Sequence, residues 1–274
     1  MDRVGRRGVI SLTALDGIGE VVAGDDLAAL IVAALAAADI GLTDDDVLVV
    51  TQKVVSKAEG RVVELASVTP RDEARAWAAK WGKDVRQVEL VLQESVEVLR
   101  MARGGLIISR TRTGLVCANA GVDMSNVGGG AEAATLLPVD PDASARALRA
   151  GLRERTGAAP GIVISDSFGR PWRNGIVNVA IGCAGLEPLV DLRGTPDADG
   201  RVMSATVIAV ADELASAADL AGGKVARRPV VLVRGWERGT VEAVEAADAV
   251  EAAEAADGPG AAALVMDRAL DLFP

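Results

Sequence analysis

The chain has 274 residues, half of them hydrophobic, a formal charge of −10 and no histidine. That length and hydrophobicity suit one large or two small globular domains and exclude collagen-like or disordered composition, and no apolar run approaches the roughly 18 residues of a membrane span. The acidic balance argues against a nucleic-acid partner, and the absence of His removes the Ser-His-Asp triad, the Cys-His pair and His-ligated zinc together.

MDRVGRRGVISL is soon followed by Asp16 and Glu20, which makes a poor signal peptide, so a cytoplasmic location is expected. A strand is predicted over 8–15, followed by the turn DGIGE and a helix over 24–40 with acidic residues at its start. Residues 43–65 read as β-rich, with a buried strand around 47–55, a turn, and a shorter strand at 61–65. Thr69-Pro70 predicts a helix N-cap and first turn, with Gly82 as the stop, and a second helix is expected over 85–99.

LIISRTRTGLVCANAGVD (106–123) reads as a hairpin delivering a polar loop. A capped helix is expected over 139–157, a buried strand at 161–167, another at 176–182, a helix over 204–223 and a strand at 228–235. The Ala/Glu-rich stretch 240–257 is helical in pattern, and Gly258-Pro259-Gly260 breaks it before a last short helix. Strands and helices mix without regular βαβ alternation, which points to α+β with mixed sheets and flanking helices rather than a Rossmann fold. The expected division is one domain over 8–250 and a C-terminal helical tail over 251–274. Cys117 and Cys183 are isolated and read as reduced core thiols.

Four polar loops each follow an apolar strand, where rigid scaffolds present functional groups. TQKVVSKAEGR (51–61) carries Lys53 and Lys57, which suit phosphate oxygens as point charges; a solvated strand end is the competing reading. CANAGVDMSN (117–126) crowds Asp123, Ser125 and Asn126, small oxygen donors that suit Mg²⁺ or Mn²⁺ better than zinc but also serve as turn formers. ISDSFGRPWRNG puts Asp166 and Ser167 at a strand end, with Arg170 and Arg173 as a guanidinium pair and Phe168 and Trp172 between them. It concentrates two of the chain's six aromatics, and they read either as locks on the loop or as stacking surfaces. DLRGTPDADGR (191–201) reads as a loop held by Asx turns. Neither G-x-G-x-x-G nor G-x-x-x-x-G-K-[ST] occurs. Two separated acidic sites with Lys and Arg loops resemble a metal-assisted phosphoryl-transfer site.

GIGEVVAGDDLAALI, DDVLVVTQKVVSKAEGRVVEL, GLVCANAGVDMSN, VISDSFGRPWRNGIVNVAIGCAG, DLRGTPDADGR and ADELASAADLAGGK occur in that order. Over roughly residues 8–235 they resemble the coenzyme F420:L-glutamate ligase family, the F420-0 gamma-glutamyl ligases. The resemblance implies a fold particular to the family, an intertwined homodimer, and an enzyme that forms an acid–amino-acid bond with release of GDP and phosphate. Its implied substrates are GTP, L-glutamate and F420-0, joined by a gamma-linkage through an acyl phosphate. Its implied cofactor is Mg²⁺ or Mn²⁺, with K⁺ as a candidate accessory ion.

By motif, the resemblance puts metal ligation on Asp123, Asp166 and Ser167. It puts GTP contacts on Ile18, Gly19, Glu20, Val21, Gln52, Lys53, Lys57, Asn126, Gly223 and Lys224. Asp166, Lys57, Arg170 and Arg173 are the catalytic candidates. Gly19 stands where many relatives carry Pro. Lys224 stands in a loop that in some relatives gives a second metal an oxygen. Mycobacterial relatives fuse this module to a flavin-dependent reductase, so a stand-alone ligase or a truncated fusion is expected. A kinase or ligase acting on another carboxylate, and a non-catalytic deazaflavin or nucleotide binder, are the competing readings.

Overall fold

The computed structural model describes residues 8–102, 104–125, 132–237 and 257–271. β1 (Ser11–Ala14), α1 (Leu27–Ala37), β2 (Val47–Thr51), α2 (Gln52–Ala58) and β3 (Val62–Glu64) open the chain. Then come α3 (Asp72–Trp81), α4 (Val85–Glu94), β4 (Ser95–Met101), β5 (Ile107–Thr111), β6 (Val116–Ala118) and β7 (Ala133–Thr135). α5 (Pro141–Thr156), β8 (Gly161–Arg170), β9 (Arg173–Ala184), β10 (Val190–Asp191), β11 (Val207–Ile208), α6 (Val210–Gly222) and β12 (Val230–Arg234) follow. Two 3₁₀ turns, Ala261–Leu264 and Arg268–Leu270, lie near the C-terminus.

The central sheet runs β1-β12-β2-β8-β9. β2 and β8 pair parallel, from Val47 opposite Gly161 to Thr51 opposite Ser165, while the other neighbours are antiparallel. Alternation along the strands feeds two cores. Leu48, Val50, Ile162 and Ile164 pack with Ile31, Leu35, Leu148 and Leu152 of α1 and α5. Val47, Val49, Val163 and Val231 pack with Leu214 and Ala215 of α6. A third core joins α3 and α4 to the β4-β5-β6 sheet through Leu65, Val88, Val91, Ile107 and Val122. The architecture is thus α+β with mixed sheets and flanking helices. No helix among the described residues is long and apolar enough to cross a membrane.

Several boundaries differ from expectation, each for a physical reason. The strand expected at 47–55 stops at Thr51, and Gln52–Ala58 is a helix. VVSKA carries the apolar content of a strand, but Val55 buries in the core beside α1 with helical spacing. The helix expected from Thr69-Pro70 begins at Asp72 with Arg71 as N-cap; Glu89 accepts hydrogen bonds from Arg71 N and Nε, both at 2.9 Å, and fixes that start by a tertiary contact. The helix expected over 85–99 ends at Glu94, because residues 95–101 pair with β5 as a strand.

The stretch expected to be a loop after residue 167 instead continues as strand. β8 and β9 form one long hairpin that turns at Pro171-Trp172, with Arg170 opposite Arg173. Trp172 sits at the tip with φ +55° and is 81% exposed, whereas Phe168 packs against the α1-side core. The helix expected over 204–223 begins only at Val210, after β11. DLRGTPDADGR does hold Asx turns, with Asp191 accepting from Arg193 N at 3.0 Å and Asp197 from Asp199 N at 3.0 Å. Most of the tail expected to be helical, 238–256, lies outside the described residues.

Candidate active site

Ligand sites in open α/β sheets favour the carboxyl ends of parallel strands. Here β2 and β8 end side by side, and a cleft of about 530 Å³ opens there. Three further segments enclose it: the loop between β1 and α1, the helix α2, and the loop between α6 and β12. Ile18 and Val21 bury into the α1-side core and so anchor the first loop, leaving Gly19 and Glu20 on the cleft edge.

On α2, Lys53 and Lys57 are four residues apart and so share a face. Lys57 is nearly buried, at 8% exposure, and its ammonium pairs with the Glu20 carboxylate. Gln52 is buried beside it and accepts from Ser56 Oγ at 2.8 Å. Lys53 reaches across to the second layer, where its Nζ lies 2.7 Å from Asp123 Oδ2 and donates to Ser125 O at 3.0 Å.

Asp123 is pinned by a reciprocal backbone pair with Thr135, N to O at 2.9 Å and 2.8 Å. The turn that delivers it, Asn119–Gly121, puts Asn119 and Ala120 in the left-handed region at φ +53° and +50°. The other carboxylate oxygen of Asp123 accepts Ser125 N at 2.7 Å. Burial works against ionisation of Asp123, but the Lys53 and Ser125 hydrogen bonds outweigh it and hold the carboxyl below its ordinary range.

Asp166 follows the last parallel pair of β8. Burial pushes its carboxyl up to about 6; the Ser167 backbone N–H and the Lys224 ammonium oppose the rise, and the Asp123 charge adds to it. Ser167 Oγ accepts from Lys224 Nζ at 2.6 Å and donates to Asn178 Oδ1 at 2.7 Å. Asn178 is itself held by Ser216 of α6, whose hydroxyl donates to its carbonyl at 2.7 Å.

The structure therefore gathers Ile18, Gly19, Glu20, Val21, Gln52, Lys53, Lys57, Asp123, Asp166, Ser167, Gly223 and Lys224 around one cleft. Asn126 lies outside the described residues. Arg170 and Arg173 do not line the cleft: they sit at the β8–β9 hairpin tip, where Arg170 Nη2 donates to Asn174 O at 2.9 Å. Thr51, Ser165, Asn178, Asp219, Arg227 and Arg228 also line the cleft. Asn178 and Ser165 become visible only through strand register. The basic pair Arg227-Arg228, separated from the GGK loop by Val225 and Ala226, is a charge cluster that the sequence reading missed.

Among the described residues no three Cys, Asp or Glu side chains cluster as a ready-made cation cage. The donors present still fit a hard divalent ion: two carboxylates close enough to feel each other's charge, and a hydroxyl, all oxygen. Two of these groups already face a cation, Asp123 the Lys53 ammonium and Ser167 that of Lys224.

The chain is similar to coenzyme F420:L-glutamate ligase of Methanothermobacter thermautotrophicus, 43% identical over 265 residues, which cover 96% of this chain and 98% of the relative. The Methanopyrus kandleri protein of the same name is 45% identical over 213 residues, 77% of this chain and 81% of that one. The Halobacterium salinarum protein is 44% identical over 239 residues, 85% and 89% respectively. The family model for F420-0:Gamma-glutamyl ligase matches residues 17–235, and the chain belongs to that family.

Proposed function

We propose that the protein is a ligase that joins L-glutamate to F420-0 through a gamma-linkage, using GTP and a divalent metal. The observation that carries this reading is the meeting of Lys53, Lys57, Asp123, Asp166, Ser167 and Lys224 at the ends of β2 and β8, in a chain of this family. In the proposed reaction the acceptor carboxylate oxygen attacks the γ-phosphorus of GTP, and the bond to the β-phosphate oxygen breaks to release GDP. The glutamate amine nitrogen then attacks the carbonyl carbon of the acyl phosphate. Phosphate leaves, taking up the proton that the amine gives away.

Such a reaction asks the protein for positioning and charge neutralisation more than for a proton-transfer base. Lys53 and Lys57 project from one helix face and suit the phosphate oxygens. The anchored loop at Ile18–Val21 and the buried Gln52 give the nucleotide a fixed wall. Gly223, with φ +69°, lets the chain turn sharply at the opposite wall, where Lys224 begins. Asp123, Asp166 and Ser167 would hold Mg²⁺ or Mn²⁺, which when bound supplies charge neutralisation for the transferring phosphoryl group. K⁺ is proposed as an accessory ion, and the protein is proposed to work as a homodimer. Arg170 and Arg173 lie off this cleft, and the reaction as written gives them no step.

The test is direct. Incubation with GTP, Mg²⁺ or Mn²⁺, L-glutamate and F420-0 should give products heavier by glutamate units, with GDP in step. If no mass shift occurs under varied metals, while a known ligase works in parallel, the reading fails. GDP release that depends on some other carboxylate would instead favour a ligase or kinase with a different acceptor.

A further inference from the structure

The cations of the cleft are not equivalent. Lys53 and Lys57, on the α2 wall, are each matched by a carboxylate, Asp123 and Glu20. On the opposite wall, the loop between α6 and β12 carries Lys224 and Arg227, and among the described residues neither has a carboxylate within ion-pair distance. Lys224 donates to a neutral hydroxyl, Ser167 Oγ, and the Arg227 side chain has no hydrogen-bond partner among the described residues. In a chain with net charge −10, two unmatched cations on one short loop make a local positive site.

The backbone around Arg227 is held on both sides. Gly223 starts the loop at φ +69°, and Ala226 N donates to Gly223 O at 3.3 Å. Arg228 also lines the cleft, but its Nε donates to Asp16 Oδ1 at 2.7 Å, while Pro229 O accepts Thr51 N at 2.9 Å. Between these anchors Arg227 itself adopts φ +57°, a conformation costly for a non-glycine residue. Of these two adjacent, exposed arginines of the cleft wall, Arg228 is tied to Asp16 and Arg227 has no carboxylate partner among the described residues.

Building on the ligase reading, we infer that Arg227, with Lys224, holds the α-carboxylate of the incoming glutamate. GTP enters with a divalent ion as counter-charge and, in that reading, meets the α2 lysines. The amino acid brings carboxylates with no counter-ion, so the unmatched cations suit it. The α-carboxylate is attached to the carbon that carries the reacting amine. A planar guanidinium that grips it in two-point fashion therefore orients the nitrogen as well as binding the substrate. Arg227 is in this sense a specificity-determining residue for the amino-acid substrate.

The experiment compares glutamate with 4-aminobutyrate, which keeps the amine and the far carboxylate but lacks the α-carboxylate. For the unaltered protein, kcat/KM should favour glutamate by about 100-fold or more, the scale of a lost charge-assisted hydrogen-bond pair. Arg227→Ala should raise the KM for glutamate by about 10-fold or more and shrink that preference, with the KM for GTP and the melting temperature unchanged. Arg227→Lys, which keeps the charge without the fork, should fall between. A preference left intact in Arg227→Ala, or a rise in the KM for GTP in place of that for glutamate, overturns the inference. If the unaltered protein forms no glutamyl product, the ligase reading fails by itself. Calorimetric titration of glutamate into the unaltered and Arg227→Ala proteins in the presence of GTP and Mg²⁺ still decides this one: weaker binding in the variant supports it and equal or absent binding overturns it.

Discussion

The ammonium of Lys53 on α2 lies 2.7 Å from the Asp123 carboxylate, which a separate layer of the molecule delivers. The pair stitches the central sheet to the smaller layer directly across the cleft. Each partner holds the other at the position where phosphate and cation must meet in the proposed reaction.

Asp123→Asn removes the negative charge while keeping the hydrogen-bonding shape. It should lower turnover by about 10²–10³-fold, the usual scale for one preorganised electrostatic contact in such a site. Far-ultraviolet circular dichroism should be unchanged, because the backbone pair with Thr135 that fixes the position does not involve the side chain. Wild-type turnover in this variant would remove Asp123 from the site.

Asp166 and Asp46 set opposite pH dependences. Asp166 is raised to about 6 by burial, so its contribution to stability is fully present below the unfolded value near 4 and is lost as pH rises through 6. Asp166→Asn should therefore stabilise the metal-free protein at pH 7.5 by about 1–2 kcal/mol, discounted for partial exposure. The gain should vanish near pH 4. Urea unfolding at the two pH values tests this, and equal midpoint shifts at both would contradict it. The same variant should lose turnover, the expected trade of stability against function.

At Asp46 burial alone would raise the carboxyl, but Arg234 grips it with Nε and Nη2, both at 2.7 Å, and holds it below its ordinary value. Its stabilisation is present above about pH 4 and lost as pH falls through the lowered folded value. Asp46→Asn should consequently cost stability at neutral pH and progressively less under acid, the reverse of Asp166→Asn. A variant equally destabilised at pH 7 and at pH 2.5 would refute this sign.

Gly182 on β9 lies where a Cβ would come within 2.4 Å of the Pro141 carbonyl oxygen at the start of α5. The obstacle is backbone, so Gly182→Ala must push helix and sheet apart, at a cost of about 1–3 kcal/mol. Thermal denaturation measures it, and an unchanged melting temperature would refute the packing role of Gly182.

Asp142, in the first turn of α5, collects three backbone donors: Cys183 N at 2.8 Å, Ala261 N at 2.7 Å and Ala262 N at 3.2 Å. It docks the C-terminal segment onto the helix. Asp142→Ala strands these donors and should destabilise by about 2–4 kcal/mol, with faster hydrogen exchange at Ala261 and Ala262. Exchange rates like those of the parent protein would refute the docking role.

Much of the site is legible in the sequence. Polar residues grouped directly after apolar runs located Lys53, Lys57, Asp123, Asp166 and Ser167, whereas Lys224 entered only through the family resemblance. The missing histidine narrowed the chemistry to oxygen donors and fixed cations. Helix stops were equally legible where the signal is local, as at Gly82 and Gly157, both left-handed caps. Local composition misled wherever a distant partner decided the outcome. Residues 95–99 are strand because β5 lies beside them, and Arg71 caps α3 because Glu89 reaches it from α4.

The sequence by itself determined the side chains available for chemistry, the apolar runs they follow and the family to which they belong. Tertiary structure alone decided which of those groups share a cleft. The same eleven residues, SDSFGRPWRNG, show the division. Their composition announced a functional segment, yet the pairing of β8 with β9 keeps Asp166 and Ser167 at the cleft and carries Arg170, Trp172 and Arg173 out to the hairpin tip. A strand advances over 3 Å with each residue, so a few positions along one hairpin separate a ligand contact from a solvent-facing turn, and only the register says where that boundary falls.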